Sequence, residues 1–409
     1  MNIFKKKKYE ASSSLSALAT ARFKKNKLAM TALSYIVFAV IISILGYLII
    51  PDKTPFANDQ RLELATKKPG FEVLILKREL NRQIERPNFI SKMLFGAKKT
   101  YESIPIYSYK VVDNKIITEL FTGMNPNNGQ IIEYDIADVA FSLNKQIPIE
   151  KLNNNIYKIT MSDGSVQELS TIKILSKAKE NIISQKHLLG TDRFGRDYLS
   201  QLIIGSRVSL SVGFIAVLIS LIVGISLGAT AAYFGGWLDN LIVWFINVIW
   251  SIPTLLLVIA ITMALGKGYW QVFIAVGLTM WVEVARVVRG QVLSVRQKEF
   301  VEAGVALGYT NFRIIFQHIL PNIMSPLIVI SAANFASAIL IEAGLSFLGI
   351  GVQPPTPSWG IMIKEHYGYI ILDYAYLAIL PGIAIMFMVL AFMIVGNGLR
   401  DALDVKEVK

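Results

Sequence analysis

The chain contains no cysteine among its 409 residues and only three histidines, so several kinds of chemistry lack the residues they require. Without cysteine there is no disulfide framework, no thiolate metal site and no cysteine nucleophile. The three histidines, His187, His318 and His366, are far apart in sequence, and none belongs to the two-histidine helical pair of zinc peptidases. The sequence therefore predicts neither a metal site nor a catalytic residue.

A phosphate-binding loop of the form Gly-x-x-x-x-Gly-Lys-Ser/Thr is also missing from the sequence. The nearest Gly-Lys pair, Gly266-Lys267, lacks the upstream glycine and lies at the end of a hydrophobic run. We therefore expect that the chain is not an enzyme, does not hydrolyse ATP by this chemistry and carries no cofactor of its own.

Charged residues make up only 17% of the chain, against 53% hydrophobic residues and a mean hydropathy of +0.49. These values indicate an integral membrane protein. Crossing the hydrocarbon core takes about 20 residues of helix. The apolar runs lie at about 28–50, 208–236, 240–266, 268–282, 322–341 and 374–399. The fourth run is short and must continue to Val288, which brings Glu283 and Arg286 near its end. We predict six transmembrane helices.

Lysine and arginine predict the orientation of these spans, because cytoplasmic loops are enriched in both. The segment 1–27 is basic and precedes the first span, 28–50, so it is expected in the cytoplasm. Six spans then place 286–321 and the tail 404–409 on the same side. The first run is too long for a signal-peptide core, which favours an uncleaved anchor. No nucleic-acid partner is expected, since the basic residues do not mark a soluble face.

Residues 51–186 interrupt the hydrophobic pattern with a segment rich in Lys, Glu, Asn and Gln. Alternating runs at 104–112 and 155–161 are followed by turn signals, Asp113-Asn114 and Asp163-Gly164. We interpret the segment as a small β-rich domain inserted outside the membrane. A spacer or disordered insert and a contact surface for a partner protein remain open alternatives.

A short polar stretch, residues 299–321, lies between long hydrophobic runs. Gly308 is placed where a left-handed cap would end a first helix, and Thr310 can cap a second one. That second helix is expected over Asn311–Ile319, with Pro321 ending it. One face of the first helix is predicted to carry Phe300, Ala303, Gly304 and Leu307. The pattern favours a compact helical hairpin that docks a partner over an ordinary connecting loop.

The hairpin resembles the EAA loop of permease subunits in binding-protein-dependent ABC importers. The family pattern is Glu-Ala-Ala, three residues, Gly, nine residues, Ile, one residue and Leu-Pro. Two positions depart from it, because Gly304 stands for the second Ala and His318 for the Ile. The stretch 317–322 is similar to the version in dipeptide and oligopeptide permeases. The positions that match are Glu302, Ala303, Gly308, Leu320 and Pro321.

A second stretch, residues 187–197, is similar to the segment that leads into the second span of that subfamily. Residues 205–207, 342–351 and 357–360 also resemble it, so the resemblance covers roughly residues 20–50 and 187–403. The residues of the second stretch that carry the likeness are Gly190, Thr191, Asp192, Gly195, Arg196 and Asp197.

The resemblance implies an all-α polytopic permease of the ABC importer type I fold, with its core at 187–403, in the cytoplasmic membrane of a bacterium. It implies a homologous second permease, two ATP-binding subunits that hold ATP and Mg, an extracytoplasmic solute-binding protein and membrane lipid as partners. The expected cargo is a di- or oligopeptide. Alternatives are nickel or another small solute, a secondary transporter, and a non-transporting scaffold. The residues expected to couple to the ATPases are Phe300, Glu302, Ala303, Gly304, Leu307, Gly308, His318, Leu320 and Pro321.

Two carboxylates, Glu283 within the extended fourth span and Glu342 directly after the fifth run, are placed where a charge facing lipid is costly. Both are candidates for a translocation path, although Glu283 can instead pair with Arg286 or Arg289 a helical turn away. Prolines at 253 and 326 are expected to kink their spans. A stripe of small residues at four-residue spacing predicts close helix packing and consists of Gly224, Gly228 and Ala232.

Overall fold

The computed structural model describes residues 15–403 except Arg86, Met124, Asn154 and Lys267. The first half of the predicted basic N-terminus and the predicted tail at 404–409 therefore lie outside the described residues. In chain order the helices are α1 (Leu15–Lys25), α2 (Lys27–Ile49), α3 (Phe89–Phe95), α4 (Ile136–Ala140), α5 (Thr171–Glu180), α6 (Tyr198–Phe234), α7 (Gly236–Trp250), α8 (Thr254–Leu265), α9 (Tyr269–Arg296), α10 (Glu299–Ala306), α11 (Asn311–Arg313), α12 (Met324–Phe347), α13 (Trp359–His366) and α14 (Tyr376–Leu403).

The strands are β1 (Phe71–Glu79), β2 (Tyr101–Val112), β3 (Lys115–Leu120), β4 (Ile131–Asp135), β5 (Glu150–Asn153), β6 (Ile156–Thr160), β7 (Val166–Ser170) and β8 (Ile182–His187). The chain divides into two compact units. The membrane unit comprises the described parts of 1–42, 205–367 and 378–409, and the sheet unit comprises 43–204 and 368–377.

Five helical segments in the described part of the chain are long and apolar enough to cross a membrane: Lys27–Ile49, Tyr198–Phe234, Tyr269–Arg296, Asn311–Phe347 and Tyr376–Leu403. A sixth is present only if α7 and α8 count as one broken span, because they are bent by 91°. The kink predicted at Pro253 is therefore confirmed, as a sharp bend within the run predicted at 240–266. Pro253 separates the two helices, since it lacks an N–H and disfavours helical geometry in the residue before it.

The fourth predicted run is part of α9, which extends eight residues beyond the predicted end at Val288, to Arg296. Val284, Ala285 and Val288 are fully buried, whereas Glu283 and Arg286 lie on the exposed side. The charged residues thus leave the apolar face of the helix uninterrupted, which is why the helix continues past them.

Close packing between α6 and α9 follows from the small-residue stripe. A Cβ atom added to Gly224 would lie 2.6 Å from Val284 Cβ, and one added to Gly228 would lie 2.5 Å from the Ala285 carbonyl oxygen. Ala232 is fully buried on the same helix. These distances allow no side chain at the two glycines, so the predicted close approach of the helices is confirmed.

Two expectations about proline are wrong. Pro321 does not end the second hairpin helix, because the backbone continues as a π-helical turn at Ile314–Ile319 and a 3-10 turn at Leu320–Ile323 into α12. These altered hydrogen-bonding patterns accommodate a residue without an N–H. Pro326 does not kink its span, since it lies in the first turn of α12, where proline is tolerated.

The sheet unit contains two antiparallel sheets, one of five strands in the order β4-β3-β2-β1-β8 and one of three in the order β5-β6-β7. The alternating runs at 104–112 and 155–161 lie in β2 and β6. Asp113 and Asn114 form the two-residue turn between β2 and β3, where Val112 pairs with Lys115. The three helices α3, α4 and α5 were not predicted. The last two contribute Val139, Ile174 and Ala178 to the core beneath the sheets.

Candidate functional site

The hairpin at 299–321 is built from α10, a turn, α11 and the π-helical segment that follows. Gly308 has φ +74°, the left-handed conformation predicted for it, and its N–H donates to the Val305 carbonyl oxygen at 2.9 Å. A Cβ atom there would meet nothing within 4 Å, so the backbone angle alone favours glycine. The Thr310 hydroxyl oxygen accepts from the Arg313 N–H at 3.4 Å and caps the second helix.

The inner face of the hairpin is packed into the membrane unit. Val301, Ile314 and Ile319 are buried in one cluster with Val288 and Val292 of α9. His318 stacks on Tyr309 with ring centroids 5.6 Å apart. Leu320 lies at the margin of the same cluster, whereas Pro321 is exposed. The inner face of the hairpin is therefore tightly packed against α9.

The prediction that Phe300, Ala303, Gly304 and Leu307 share one face of α10 is wrong, because one of these residues is buried and three are exposed. Gly304 is buried beside Val301, whereas Phe300, Ala303 and Leu307 are exposed together with Glu302. Val301 occupies the core position because a branched apolar side chain fills the space next to Ile314. Helical spacing alone did not distinguish these two faces.

The outer face of the hairpin is apolar and exposed. We define the hairpin outer face as Phe300, Val305, Leu307, Phe312 and Phe316, whose exposed fractions run from 43% to 70%. The rings of Phe312 and Phe316 contact each other with centroids 4.2 Å apart. Sequence reasoning missed Val305, Phe312 and Phe316, although the four-residue spacing of the two phenylalanines was a usable signal.

Residues 187–197, the second stretch that resembles the permease subfamily, lie in the sheet unit and pack against the segment 61–67. We call this stretch the clasp. Gly190 and Gly195 have φ of +74° and +71°. A Cβ atom on Gly190 would lie 2.1 Å from the Lys67 carbonyl oxygen, and one on Gly195 would lie 1.7 Å from that of Arg61. Both positions require glycine for the backbone angle and for the close approach.

The polar residues of the motif bond to one another and to the same segment. Asp192 accepts from the N–H groups of Phe194 and Arg196 at 2.9 Å each, and from Arg196 Nε at 2.5 Å. The Thr191 hydroxyl donates to the Leu64 carbonyl oxygen and accepts from the Lys67 N–H. Asp192 and Thr191 are fully buried, so these bonds satisfy groups that water does not reach.

Asp197 completes the motif by capping α6. Its carboxylate accepts from the N–H and hydroxyl of Ser200 at 2.9 and 2.6 Å and lies 2.8 Å from His187 Nδ1. An aspartate at this position satisfies the free N–H groups of the first helical turn. In the described chain the motif therefore forms a structural clasp within the sheet unit.

The two intramembrane carboxylates have different surroundings. Glu342 is fully buried in α12, where it accepts from the Ser346 hydroxyl at 2.7 Å and lies 3.5 Å from Ser209 Oγ. Glu283 instead lines a cavity of about 210 Å³ where α7 and α8 bend, together with Trp250, Thr279 and further polar and apolar side chains. Of the two, only Glu283 lines this cavity.

The pairing of Glu283 with a nearby arginine is wrong for Arg289, which binds Asp239 of α7 through two hydrogen bonds of 2.7 Å each. The Arg286 guanidinium lies 3.9 Å from the centre of the Trp250 ring, a cation–π contact. The actual carboxylate partner of Arg289 is fifty residues away, so helical spacing did not reveal it.

Comparison with known proteins defines the family. Residues 203–408 match the family described as binding-protein-dependent transport system inner membrane component, and residues 14–69 match the N-terminal transmembrane domain of oligopeptide transport permease C. The first match covers half of the chain. The chain therefore belongs to the family of inner membrane components of binding-protein-dependent transport systems, and it is a permease subunit of an ABC importer.

The relatives include a dipeptide transport system permease protein of Alkalihalophilus pseudofirmus, 44% identical over 223 residues, which are 54% of this chain and 73% of the relative. A glutathione transport system permease protein of Pectobacterium atrosepticum is 39% identical over 223 residues, 54% of this chain and 74% of the relative. A methionine ABC transporter in an inward-facing conformation aligns with 50% of this chain and 96% of its own at 17% identity and a TM-score of 0.42.

Proposed function

We propose that the chain translocates di- or oligopeptides across the inner membrane as one of two homologous permease subunits. The observation that carries this proposal is the 44% identity to a dipeptide transport permease along 73% of that relative. Glutathione, a modified tripeptide, is a second candidate cargo, because the name of the 39% identical relative specifies it. We also propose that the chain crosses the membrane six times in the type I arrangement, with α7 and α8 forming one broken span.

Energy enters through the hairpin at 299–321, which docks an ATP-binding subunit. Five exposed apolar side chains on one short hairpin form a surface that a polar loop does not need and that a partner protein would cover. Glu302 is the charged residue beside them, and His318, Leu320 and the buried residues Val301 and Gly304 hold the hairpin onto α9. A displacement of the hairpin by the ATP-binding subunit is transmitted to α9, because the inner face of the hairpin is tightly packed against that helix.

Both termini and the hairpin face the cytoplasm, and the sheet unit faces outward toward the solute-binding protein. The distribution of Lys and Arg supports this orientation. ATP and Mg bind on the two separate ATP-binding subunits, and the permease contacts membrane lipid along its apolar helices.

The translocation path passes the cavity at the bend between α7 and α8. Glu283 lines that cavity and offers a charge for a polar cargo, whereas Glu342, held by serines, supports the interior of the bundle. A broken helix next to a cavity is a common way to expose backbone carbonyls to a solute.

Uptake of a radiolabelled dipeptide into proteoliposomes that contain this chain, its partner permease, two ATP-binding subunits and the binding protein tests the proposal. We expect uptake that requires ATP and the binding protein and that Glu302→Arg combined with Gly308→Leu abolishes. Uptake driven by an ion gradient without ATP would support a secondary transporter instead. ATP hydrolysis without uptake of any peptide would support a non-transporting scaffold.

A further inference from the structure

A cavity of about 360 Å³ lies within the sheet unit, and none of the functions above uses it. Six basic side chains line it against three acidic ones, which gives an excess of positive charge. The basic residues are Lys53, Arg61, Lys77, Lys92, Lys98 and Lys99, and the acidic residues are Asp52, Asp59 and Asp197.

Arg61 is the buried cation of this cavity, with only 8% of its surface exposed. Its Nη2 lies 2.6 Å from Asp59 Oδ2, and its Nη1 donates to Gln185 Oε1 at 3.1 Å. Its Nε–H, also buried, has no hydrogen-bond partner among the described residues. A buried guanidinium N–H without an acceptor is rare in folded proteins, and a ligand oxygen would satisfy it.

Two lysines add charge beside Arg61. Lys99 Nζ bonds to Asp59 and to Ser103 Oγ, while Lys77 Nζ lies 4.8 Å from the centre of the Tyr101 ring. No carboxylate is within ion-pair distance of Lys77 in the described part of the chain. Burial, and then the charge of Arg61, lower the pKa of Lys77 and of Lys99 from the usual value, as expected for crowded cations.

The acidic residues do not balance these cations, because two of them are committed elsewhere. Asp52 accepts from the N–H groups of Thr54 and Asp59 at 2.9 Å each, and burial raises the pKa of its carboxyl group. Asp197 is occupied by Ser200 and His187 in the clasp. Asp59 alone therefore faces both Arg61 and Lys99.

We propose that this cavity is a binding site for a small oxyanion, a carboxylate- or phosphate-bearing solute, held by Arg61, Lys77 and Lys99. The planar guanidinium provides the directional N–H groups that such oxygens accept, and the lysines neutralise the remaining charge. All lining residues belong to the sheet unit, so binding requires no ATPase, no second permease and no transport. The proposal stands apart from the proposed function.

Isothermal titration calorimetry on the full-length chain in a nonionic detergent, with succinate and inorganic phosphate as separate probes, tests it. We expect saturable binding of one anion per chain for at least one probe, and the probe that binds identifies the ligand group. Lys77→Met should weaken binding at least about tenfold, since a charge-assisted hydrogen bond is worth that much. Lys77→Arg should restore it.

Lys110→Met is the matched control, because Lys110 is exposed on β2 of the same unit and does not line the cavity. It removes the same charge and should leave the affinity within about twofold of the unmodified chain. Absence of saturable binding of both probes would overturn the proposal. So would equal weakening by Lys77→Met and Lys110→Met, which would indicate attraction to net charge alone.

Discussion

At the scale of single residues, glycine positions are the clearest link between sequence and structure. Gly308 and Gly195 both adopt a left-handed backbone, but only Gly195 also lies against another chain segment, the carbonyl of Arg61. The left-handed backbone at Gly308 can be predicted from the local pattern that ends a helix. The close approach at Gly195 depends on Arg61, which is more than a hundred residues away, so no local pattern reveals it.

We predict that Gly195→Ala destabilises the sheet unit by about 2 kcal/mol or more, because it adds both backbone strain and a clash with the Arg61 carbonyl oxygen. The apparent melting temperature of the purified chain, followed by circular dichroism, measures the effect. Gly164→Ala is the control, since Gly164 has φ +83° but open space around its Cβ position. Its expected cost is about 1 kcal/mol. Equal losses for both variants would mean that the close approach at Gly195 is not real.

Charged residues within the membrane were the hardest to place from sequence. Glu283 and Glu342 were both recognised as unusual, yet Glu283 lines the cavity where α7 and α8 bend, while Glu342 is held by serines of α6 and α12. The partner of Arg289 proved to be Asp239 on another helix. Contacts between distant helices are set by packing, which local spacing does not encode.

At the scale of elements, long apolar runs and strict alternation predicted helices and strands well, whereas proline predicted a bend correctly at Pro253 and wrongly at Pro326. The runs at 28–50 and 374–399 correspond to α2 and α14 within a few residues. A kink was predicted at Pro253, although not its angle of 91° between α7 and α8, whereas the π-helical turn before Pro321 was missed. Proline signals that a hydrogen bond is lost, but the surrounding packing decides whether the helix bends, ends or rearranges.

The hairpin gives a prediction at this scale. Leu307→Ser combined with Phe312→Ser should leave folding unchanged, since both side chains are about 70% exposed. Recovery of the ATP-binding subunit with the affinity-purified permease should fall at least about tenfold, because buried aromatic and aliphatic anchors dominate interfaces. Quantitative immunoblotting of the eluates measures this ratio.

Ile172→Ser is the matched control for that experiment, because Ile172 is 79% exposed but lies on α5 in the sheet unit. It should leave recovery of the ATP-binding subunit unchanged. Normal recovery with the hairpin double variant would show that the hairpin outer face is not where the subunit docks.

At the scale of the whole molecule, the resemblance to the permease family predicted the membrane core but not the role of the sheet unit. The family matches cover 14–69 and 203–408, leaving most of that unit outside them. Its strands could be anticipated from alternation at 104–112 and 155–161, whereas its small helices and its sheet order could not. The strand order depends on pairing β1 with β8 across the whole unit.

We propose that the sheet unit contacts the solute-binding protein or the partner permease, and a deletion tests this. Phe71 pairs with His187 where β1 begins and β8 ends, so residues 72–186 can be replaced by a short Gly-Ser linker that preserves the clasp. We expect the shortened chain to retain its ATP-binding subunits but to lose most binding-protein-dependent uptake. Unchanged uptake together with unchanged capture by immobilised binding protein would indicate a spacer.

The central claim, that the hairpin couples this permease to an ATP-binding subunit, is tested most directly by site-specific cross-linking in membranes. The chain has no cysteine, so Phe312→Cys introduces its sole thiol, to which a photoactivatable benzophenone can be attached. We expect illumination to give an adduct containing the ATP-binding subunit from Phe312→Cys and none from Ile172→Cys. No such adduct from Phe312→Cys, or the same adduct from both positions, would contradict the account.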